Sequence, residues 1–195
     1  MPDLIEIPSN KFEKKINEKT IKILFVGRDG VRKGLLEFVL ALSKLNVDTN
    51  DIEVVIVSET DFDHSLLSKI KHQVFKSLSN VEVLKLMEDC QVFCLPTKEE
   101  AYGIVFVEAM SKGCAILADH DLPRLELIRD NQTGICVNPA SVEDIKEGLK
   151  KLILDSEFRK KCMINAKNTY LGEFAPEVVA KKHELIFNQV INYSK

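Results

Sequence analysis

The sequence has no run of about 20 apolar residues, the length that a helix needs to cross a bilayer. Its first residues, MPDLIEIPSNKFEKK, lack the apolar core of a signal peptide. The net charge of the 195 residues is −3, which does not favour a broad surface for nucleic acid or anionic lipid. These absences predict a cytoplasmic, at most membrane-peripheral protein with no integral membrane segment and no nucleic-acid partner.

No Cys-x-x-Cys pair occurs among the five cysteines, and their odd number argues against a framework of disulfides. Most of them lie in apolar runs such as CQVFCLP and GCAILA. We therefore expect reduced thiols that pack as small hydrophobic side chains.

What the chain does contain is an alternation of apolar runs and helical periodicities, which predicts buried strands separated by helices. Residues 81–90 fit either a short strand or a helical turn. Strands joined by helices form right-handed β-α-β units, so we predict an α/β fold, Rossmann-like, with a parallel sheet covered by helices on both faces. The predicted strands are 21–27, 51–58, 91–96, 114–118 and 135–138, and the predicted helices are 33–45, 64–78, 103–113, 123–130, 141–154, 156–170 and 176–193.

The loop after the first strand is basic and rich in glycine. It reads GRDGVRKG, begins at Gly27 and carries Arg28, Arg32 and Lys33. Ligands of parallel sheets bind at the carboxyl ends of the strands, and cations at a helix start can hold a phosphate together with backbone N–H groups. The loop matches neither G-x-x-x-x-G-K-[ST] nor G-x-G-x-x-G, and the alternative is that its charges are only solvated.

Two aspartates, Asp61 and Asp63, follow the second strand as a D-x-D pair that could ligate Mg or Mn beside a nucleotide. Asp63 directly precedes the predicted helix 64–78, and a helix N-cap explains it more simply. We therefore predict no metal. Of the four histidines, only His120 follows a strand end and is a candidate for the ligand edge.

The stretch TKEEAYGIVFVEAM places two carboxylates on either side of Gly103. Glu100 precedes the predicted helix and Glu108 lies about five residues, or ~7.5 Å, along it. The N–H groups from Gly103 and Ile104 onward carry the positive end of the helix dipole. An anion there would have a carboxylate on each flank, and carboxylates accept hydrogen bonds from hydroxyls. A nucleotide sugar has this pattern of a central phosphate between hydroxyl-bearing rings.

The same stretch, EAYGIVFVE, resembles the E-x7-E signature of retaining GT-B glycosyltransferases. The resemblance covers roughly residues 21–193 and is carried in order by ILFVGRDGVRKGLLEFVLAL, VFCLPTKEE, LELIRDNQTGICVNPASVEDIKEGLKKLILD and FAPEVVAKKHELIFNQVI. It implies that Glu108 binds the nucleotide ribose and that Glu100 faces the donor sugar. It also implies which residues lie at the donor diphosphate. These are Arg28 and Lys33 as the basic pair that binds it, Gly27 at the start of their loop, and the backbone of Tyr102, Gly103 and Ile104.

Two stretches depart from the family pattern. SETD follows the second strand where the family has a glycine-rich turn, and Leu122 and Pro123 replace a Gly-Gly pair in the loop before Glu126. Both departures bear on the donor-sugar side of the implied site rather than on its ribose side.

The resemblance also implies a division of the chain. Residues 1–20 would be the remnant of an interdomain linker, 21–170 the nucleotide-sugar donor-binding domain and 171–195 a helix that crosses to the other half of a GT-B enzyme. The N-terminal acceptor domain would then be a missing partner. Self-association through the C-terminal helix is a further expectation, because without the partner part of an apolar stripe on it would remain exposed; the stripe is formed by Val178, Val179, Leu185, Ile186 and Ile191.

The function expected from this resemblance is the transfer of a hexose-type sugar, with retention, from a UDP-, GDP- or ADP-sugar to an unknown acceptor, without a metal and without activity in isolation. A non-catalytic nucleotide-sugar binding or regulatory module is the alternative. A solvated or structural role for both glutamates also stays open. A hydrolase pair of carboxylates fits less well, because a helix N-terminus suits an anion better than an oxocarbenium ion.

Overall fold

The computed structural model describes residues 19–121 and 127–193. Strands and helices alternate through both ranges. In chain order they are β1 (Ile21–Val26), α1 (Leu35–Ser43), β2 (Ile52–Val57), a 3-10 turn (His64–Leu67), β3 (Lys71–Phe75), α2 (Asn80–Asp89), β4 (Val92–Leu95), α3 (Ile104–Ser111), β5 (Ala115–Asp119), β6 (Gly134–Val137), α4 (Val142–Leu154), α5 (Ser156–Thr169), a π-helical turn (Tyr170–Phe174) and α6 (Pro176–Tyr193).

The six strands form one parallel sheet in the order β3-β2-β1-β4-β5-β6. The predicted α/β, Rossmann-like fold is therefore confirmed. The strand order reverses between β1 and β4, so the loops that leave these two strands diverge and open a crevice at the carboxyl edge of the sheet.

The core explains why these residues form strands. β2 is buried at all six positions and β4 at all four, which requires continuous apolar runs rather than alternation. Two aromatic pairs pack helices against strands. Phe25 of β1 stacks on Phe38 of α1, and Phe93 of β4 packs edge to face against Phe106 of α3, with 5.9 Å between the ring centroids. The helices that begin at the crevice are thereby held on the sheet.

The predicted helix 64–78 is wrong. Only His64–Leu67 make a helical turn, and Lys71–Phe75 form β3, the edge strand that pairs with β2. The apolar residues of this stretch fit helical spacing; they are Leu66, Leu67, Ile70 and Val74. However, pairing with β3 provides hydrogen-bond partners for backbone N–H and C=O groups of β2 that would otherwise be unpaired at the edge of the sheet. A contact distant in sequence overrides the local pattern.

Of residues 81–90, which the sequence left undecided, 81–89 belong to α2 and Cys90 is its C-cap. Ser79 accepts a hydrogen bond from the Glu82 N–H group, and the Glu82 carboxylate accepts one from the Ser79 N–H group. This capping box is visible in the sequence as S-x-x-E, a signal that identifies a helix start.

Several local predictions can be compared with the structure. Asp63 is an N-cap as expected, accepting from the Ser65 N–H group at 2.9 Å, although the helix it caps is the 3-10 turn. Ser141 caps α4 by accepting from the Asp144 N–H group. Half of the predicted helix 123–130 lies outside the described residues, as does most of the predicted linker 1–20.

The last helix, α6, packs on the domain only through its first turns. Val178 is buried, whereas every residue from Lys181 to Ile191 is exposed. No helix within the described ranges is long and apolar enough to span a membrane.

Candidate functional site

Two loops meet at the crevice between β1 and β4. The Lys98 N–H group donates to the Arg32 carbonyl oxygen at 2.9 Å, and the Thr97 hydroxyl lies 3.4 Å from the same oxygen. Gly34 has a φ of +77°, and a Cβ atom there would lie 2.1 Å from the Pro96 carbonyl oxygen. The loops therefore touch backbone to backbone, and only glycine fits position 34.

Lys33 and Glu100 form the central ion pair of this crevice. The Lys33 Nζ atom donates to Glu100 Oε2, and the two side chains are only 12% and 19% exposed. Gly27 makes room for them, because a Cβ atom at Gly27 would lie 2.8 Å from the Cβ and Cγ atoms of Lys33. The structure thus brings together three of the predicted site residues from opposite loops.

Arg28 stands apart from that pair. Its guanidinium contacts Glu59 at 3.1 Å, and both side chains are exposed. An exposed pair of this kind is worth about 0–1 kcal/mol, so Arg28 can leave Glu59 for a stronger anion at little cost.

Ser58 and Thr60, which sequence reasoning did not single out, support the loop that carries Arg28. The Gly30 N–H group donates to the Thr60 hydroxyl at 2.9 Å, and the Thr60 N–H group donates to the buried Ser58 hydroxyl at 3.2 Å. The SETD stretch, which replaces the glycine-rich turn of the family, therefore supports the basic loop through side-chain hydroxyls.

Helix α3 presents its N-terminus to the crevice. Gly103, with a φ of +85°, precedes Ile104, and no side chain caps this helix end within the described residues. The first N–H groups are therefore available to an anion or to water. Tyr102 and Ile104 lie exposed beside them.

Glu108 lies half-buried on α3, one turn beyond the helix start. Its Oε1 atom accepts a hydrogen bond from the Asn80 side-chain amide at 3.3 Å. Asn80 begins α2, just past the carboxyl end of β3, and was not predicted as a site residue because that strand was not predicted. The two glutamates therefore have different partners: Glu100 faces the basic loop and Glu108 faces the loop after β3.

The other candidates have structural partners. Lys76 binds Asp61 and lowers the pKa of that carboxyl, while Asp63 caps the 3-10 turn. The His120 Nδ1–H group donates to the Val137 carbonyl oxygen at 2.9 Å, at the carboxyl ends of β5 and β6. In the described part of the chain, no three His, Cys, Asp or Glu side chains are grouped to hold a metal ion.

Comparison with known proteins identifies the family and the fold. Residues 6–169 match the family of glycosyl transferases group 1. The chain belongs to this family. The predicted resemblance to the donor-binding half of GT-B glycosyltransferases is confirmed at the level of family and fold.

Individual relatives and solved structures are similar to this chain in sequence or in fold. An uncharacterised glycosyltransferase of Methanocaldococcus jannaschii is 28% identical over 167 residues, which are 82% of this chain and 43% of that protein. The C-terminal domain of a glycosyl transferase group 1 family protein of Francisella tularensis is 25% identical with a TM-score of 0.69, over 80% of this chain and 87% of that one. An Anabaena protein solved with UDP and glucose is 18% identical with a TM-score of 0.70, over 88% of this chain and 48% of that one. This chain spans about half the length of the curated relatives that it matches.

Proposed function

We propose that this chain is the donor-binding domain of a glycosyltransferase that transfers a hexose-type sugar, with retention, from a nucleotide-diphosphate sugar. The observation that carries the proposal is the meeting of Lys33, Glu100 and the uncapped N-terminus of α3 where the strand order reverses. In this fold that position is where ligands bind, and the three groups together suit a diphosphate beside a hydroxyl-bearing ring.

The diphosphate would lie between Lys33 and the first N–H groups of α3. Arg28 would turn from the exposed Glu59 to the same anion. During transfer, negative charge grows on the departing diphosphate, and fixed cations and N–H groups that face it stabilise that charge. Lys33 and Arg28 supply this positive charge without a metal ion.

The two glutamates would hold the rings on either side of the diphosphate. Glu108 would accept hydrogen bonds from the ribose hydroxyls, next to the amide of Asn80. Glu100 would accept from the donor sugar once Lys33 has turned to the phosphates. This arrangement fixes the orientation of the donor, which is the main contribution that a binding domain makes to the reaction rate.

The donor class rests on the ligand chemistry of the site and on the Anabaena neighbour, which was solved with UDP and with UDP-glucose. We infer a UDP-, GDP- or ADP-sugar for this chain. Titration calorimetry with UDP, GDP and ADP tests the proposal. Binding by one of them at or below millimolar concentration is expected, and binding by none would overturn it.

Sugar transfer would require a second, acceptor-binding domain as partner. The exposed apolar side chains of α6, including Leu185, Phe187 and Ile191, are the surface on which such a domain would pack. In the isolated chain this surface would pack against a second copy. Transfer by the chain alone would contradict the proposal, and binding without transfer after addition of a cognate acceptor domain would identify a non-catalytic binding module instead.

A further inference from the structure

A second ion pair, besides that of Lys33 and Glu100, connects α1 to the loop that follows β4. Lys98 Nζ lies 2.7 Å from Glu37 Oε1, and the side chains are 39% and 17% exposed. Glu37 is in the first turn of α1, directly after the basic loop, and Lys98 is two residues before Glu100. The pair therefore connects the helix that follows one loop to the backbone of the other.

The backbone around Lys98 adds to this connection. The Lys98 N–H group donates to the Arg32 carbonyl oxygen at 2.9 Å. Thr97, which is fully buried, directs its hydroxyl to the Glu99 carbonyl oxygen at 3.0 Å and lies 3.4 Å from the Arg32 oxygen. Lys98 thus binds the basic loop through its amide and α1 through its ammonium group.

The burial of Glu37 is costly for a purely structural contact. Its Oε2 atom is buried and has no hydrogen-bond partner among the described residues. When a carboxylate is buried with one oxygen unpaired, the loss of its hydration costs free energy that a single ion pair does not fully compensate. Replacing a buried ion pair with apolar residues of similar size often leaves the free energy of unfolding unchanged or higher. The pair is better explained by the orientation that it gives to the loop than by the stability that it gives to the fold.

We propose that Glu37 and Lys98 are positioning residues for the donor site. They hold residues 97–103 against the basic loop, so that the N-terminus of α3 faces the phosphate position beside Lys33. In this role neither side chain would contact the donor itself. The inference rests on the proposed function for its effect on ligand binding, but the restraint on the loop exists without a ligand.

The first test measures the affinity for whichever of UDP, GDP and ADP binds the wild type most tightly. Lys98→Met keeps the aliphatic stem and loses the charge, and we expect it to weaken this affinity about three- to tenfold, because small displacements of binding groups are costly. Glu37→Gln should have a similar effect, the double variant should be no worse than either single one, and Lys98→Arg should stay within about twofold of the wild type. Lys150→Met removes an ion-paired lysine of α4 and is the matched control, expected to change nothing.

The second test needs no ligand. Hydrogen exchange should show faster exchange of the backbone amides at positions 97 and 98 in Lys98→Met than in the wild type, with the amides of β4 unchanged. Unaltered exchange there, or equal nucleotide affinity in wild type and Lys98→Met, would overturn the positioning role. Failure of every nucleotide to bind the wild type would instead overturn the proposed function, and the exchange measurement would still decide the inference.

Discussion

Lys33 and Glu100 are 67 positions apart in sequence, yet they form a largely buried ion pair across the crevice between β1 and β4. In the absence of a ligand, each group neutralises the other. Under the proposed function, a donor diphosphate would compete with the Glu100 carboxylate for the Lys33 ammonium group. This competition gives the two side chains opposite effects on the binding of a nucleoside diphosphate.

Glu100→Gln should tighten the binding of the nucleoside diphosphate. Loss of the carboxylate releases Lys33 and removes a like charge near the phosphates, worth about 1 kcal/mol or about fivefold in affinity. Lys33→Met should weaken the same binding by about 1.5–3 kcal/mol, because it removes a charge-assisted hydrogen bond. Titration calorimetry measures both, and equal weakening by the two variants would contradict the competition.

Glu108→Gln should weaken nucleotide binding by about 1.5–3 kcal/mol, since the amide keeps the shape of the side chain but loses a charged acceptor for the ribose hydroxyls. Glu99→Gln changes an exposed glutamate next to Glu100 and serves as the matched control. If a well-folded Glu108→Gln protein binds as tightly as the wild type, Glu108 does not hold the ribose.

Gly34→Ala should destabilise the fold by more than about 1 kcal/mol. A residue with a Cβ atom pays about 1–2 kcal/mol for the left-handed conformation, and here the new atom would also lie 2.1 Å from the Pro96 carbonyl oxygen. Urea unfolding measures the loss. The exposed Leu36, two residues further on, provides a control, because Leu36→Ala should stay within about 0.5 kcal/mol of the wild type.

The partly buried Cys136 and the buried Cys162 should make the fold less stable in alkali. Burial, together with the nearby carboxylates of Asp130 and Asp119, raises the pKa of the Cys136 thiol from 9.0 to about 12. Burial likewise raises the pKa of Cys162 to about 11. The folded protein thus keeps these protons when the unfolded chain has released them, so the contribution to stability is complete below pH 9 and is lost as the pH rises from about 9 to 12.

This pH dependence can be measured by urea unfolding between pH 8 and pH 11, a range set by the shifts above. Cys136→Ala removes the most exposed of the five thiols and should show a shallower decline above pH 9 than the wild type. An identical decline in the two proteins would show that Cys136 does not contribute.

The exposed face of α6 should cause concentration-dependent self-association of the isolated chain. Phe187 and Ile191 are four residues apart on this helix, with exposed fractions of 64% and 57%. Replacing both with lysine should make the protein monomeric in light scattering, whereas Gln189→Lys, on a different side of the helix, should not. A wild-type chain that is monomeric at every concentration would contradict the expectation.

Much of the arrangement of the candidate site could be predicted from the sequence. Glu100, Glu108 and the basic loop follow strand ends, and in a parallel sheet those ends share one edge, so their proximity follows from topology alone. The roles of Asn80, Thr60 and Glu37 could not be predicted in this way. Each acts through a partner 28 to 61 positions away, at Glu108, Gly30 and Lys98 respectively, and no local pattern encodes such a pairing.

The sequence by itself determined the alternation of strand and helix, because strands buried on both sheet faces require continuous apolar runs. It also determined that two carboxylates flank a helix start, because helix ends have local sequence signals. Tertiary structure alone decided that Lys71–Phe75 is an edge strand. The apolar residues around it fit helical spacing, and only the backbone hydrogen bonds to β2 make it a strand. It also decided that Lys33 binds Glu100 while Arg28 binds Glu59. Both are cations of one loop, and only the packing of the neighbouring loops determines which carboxylate each can reach.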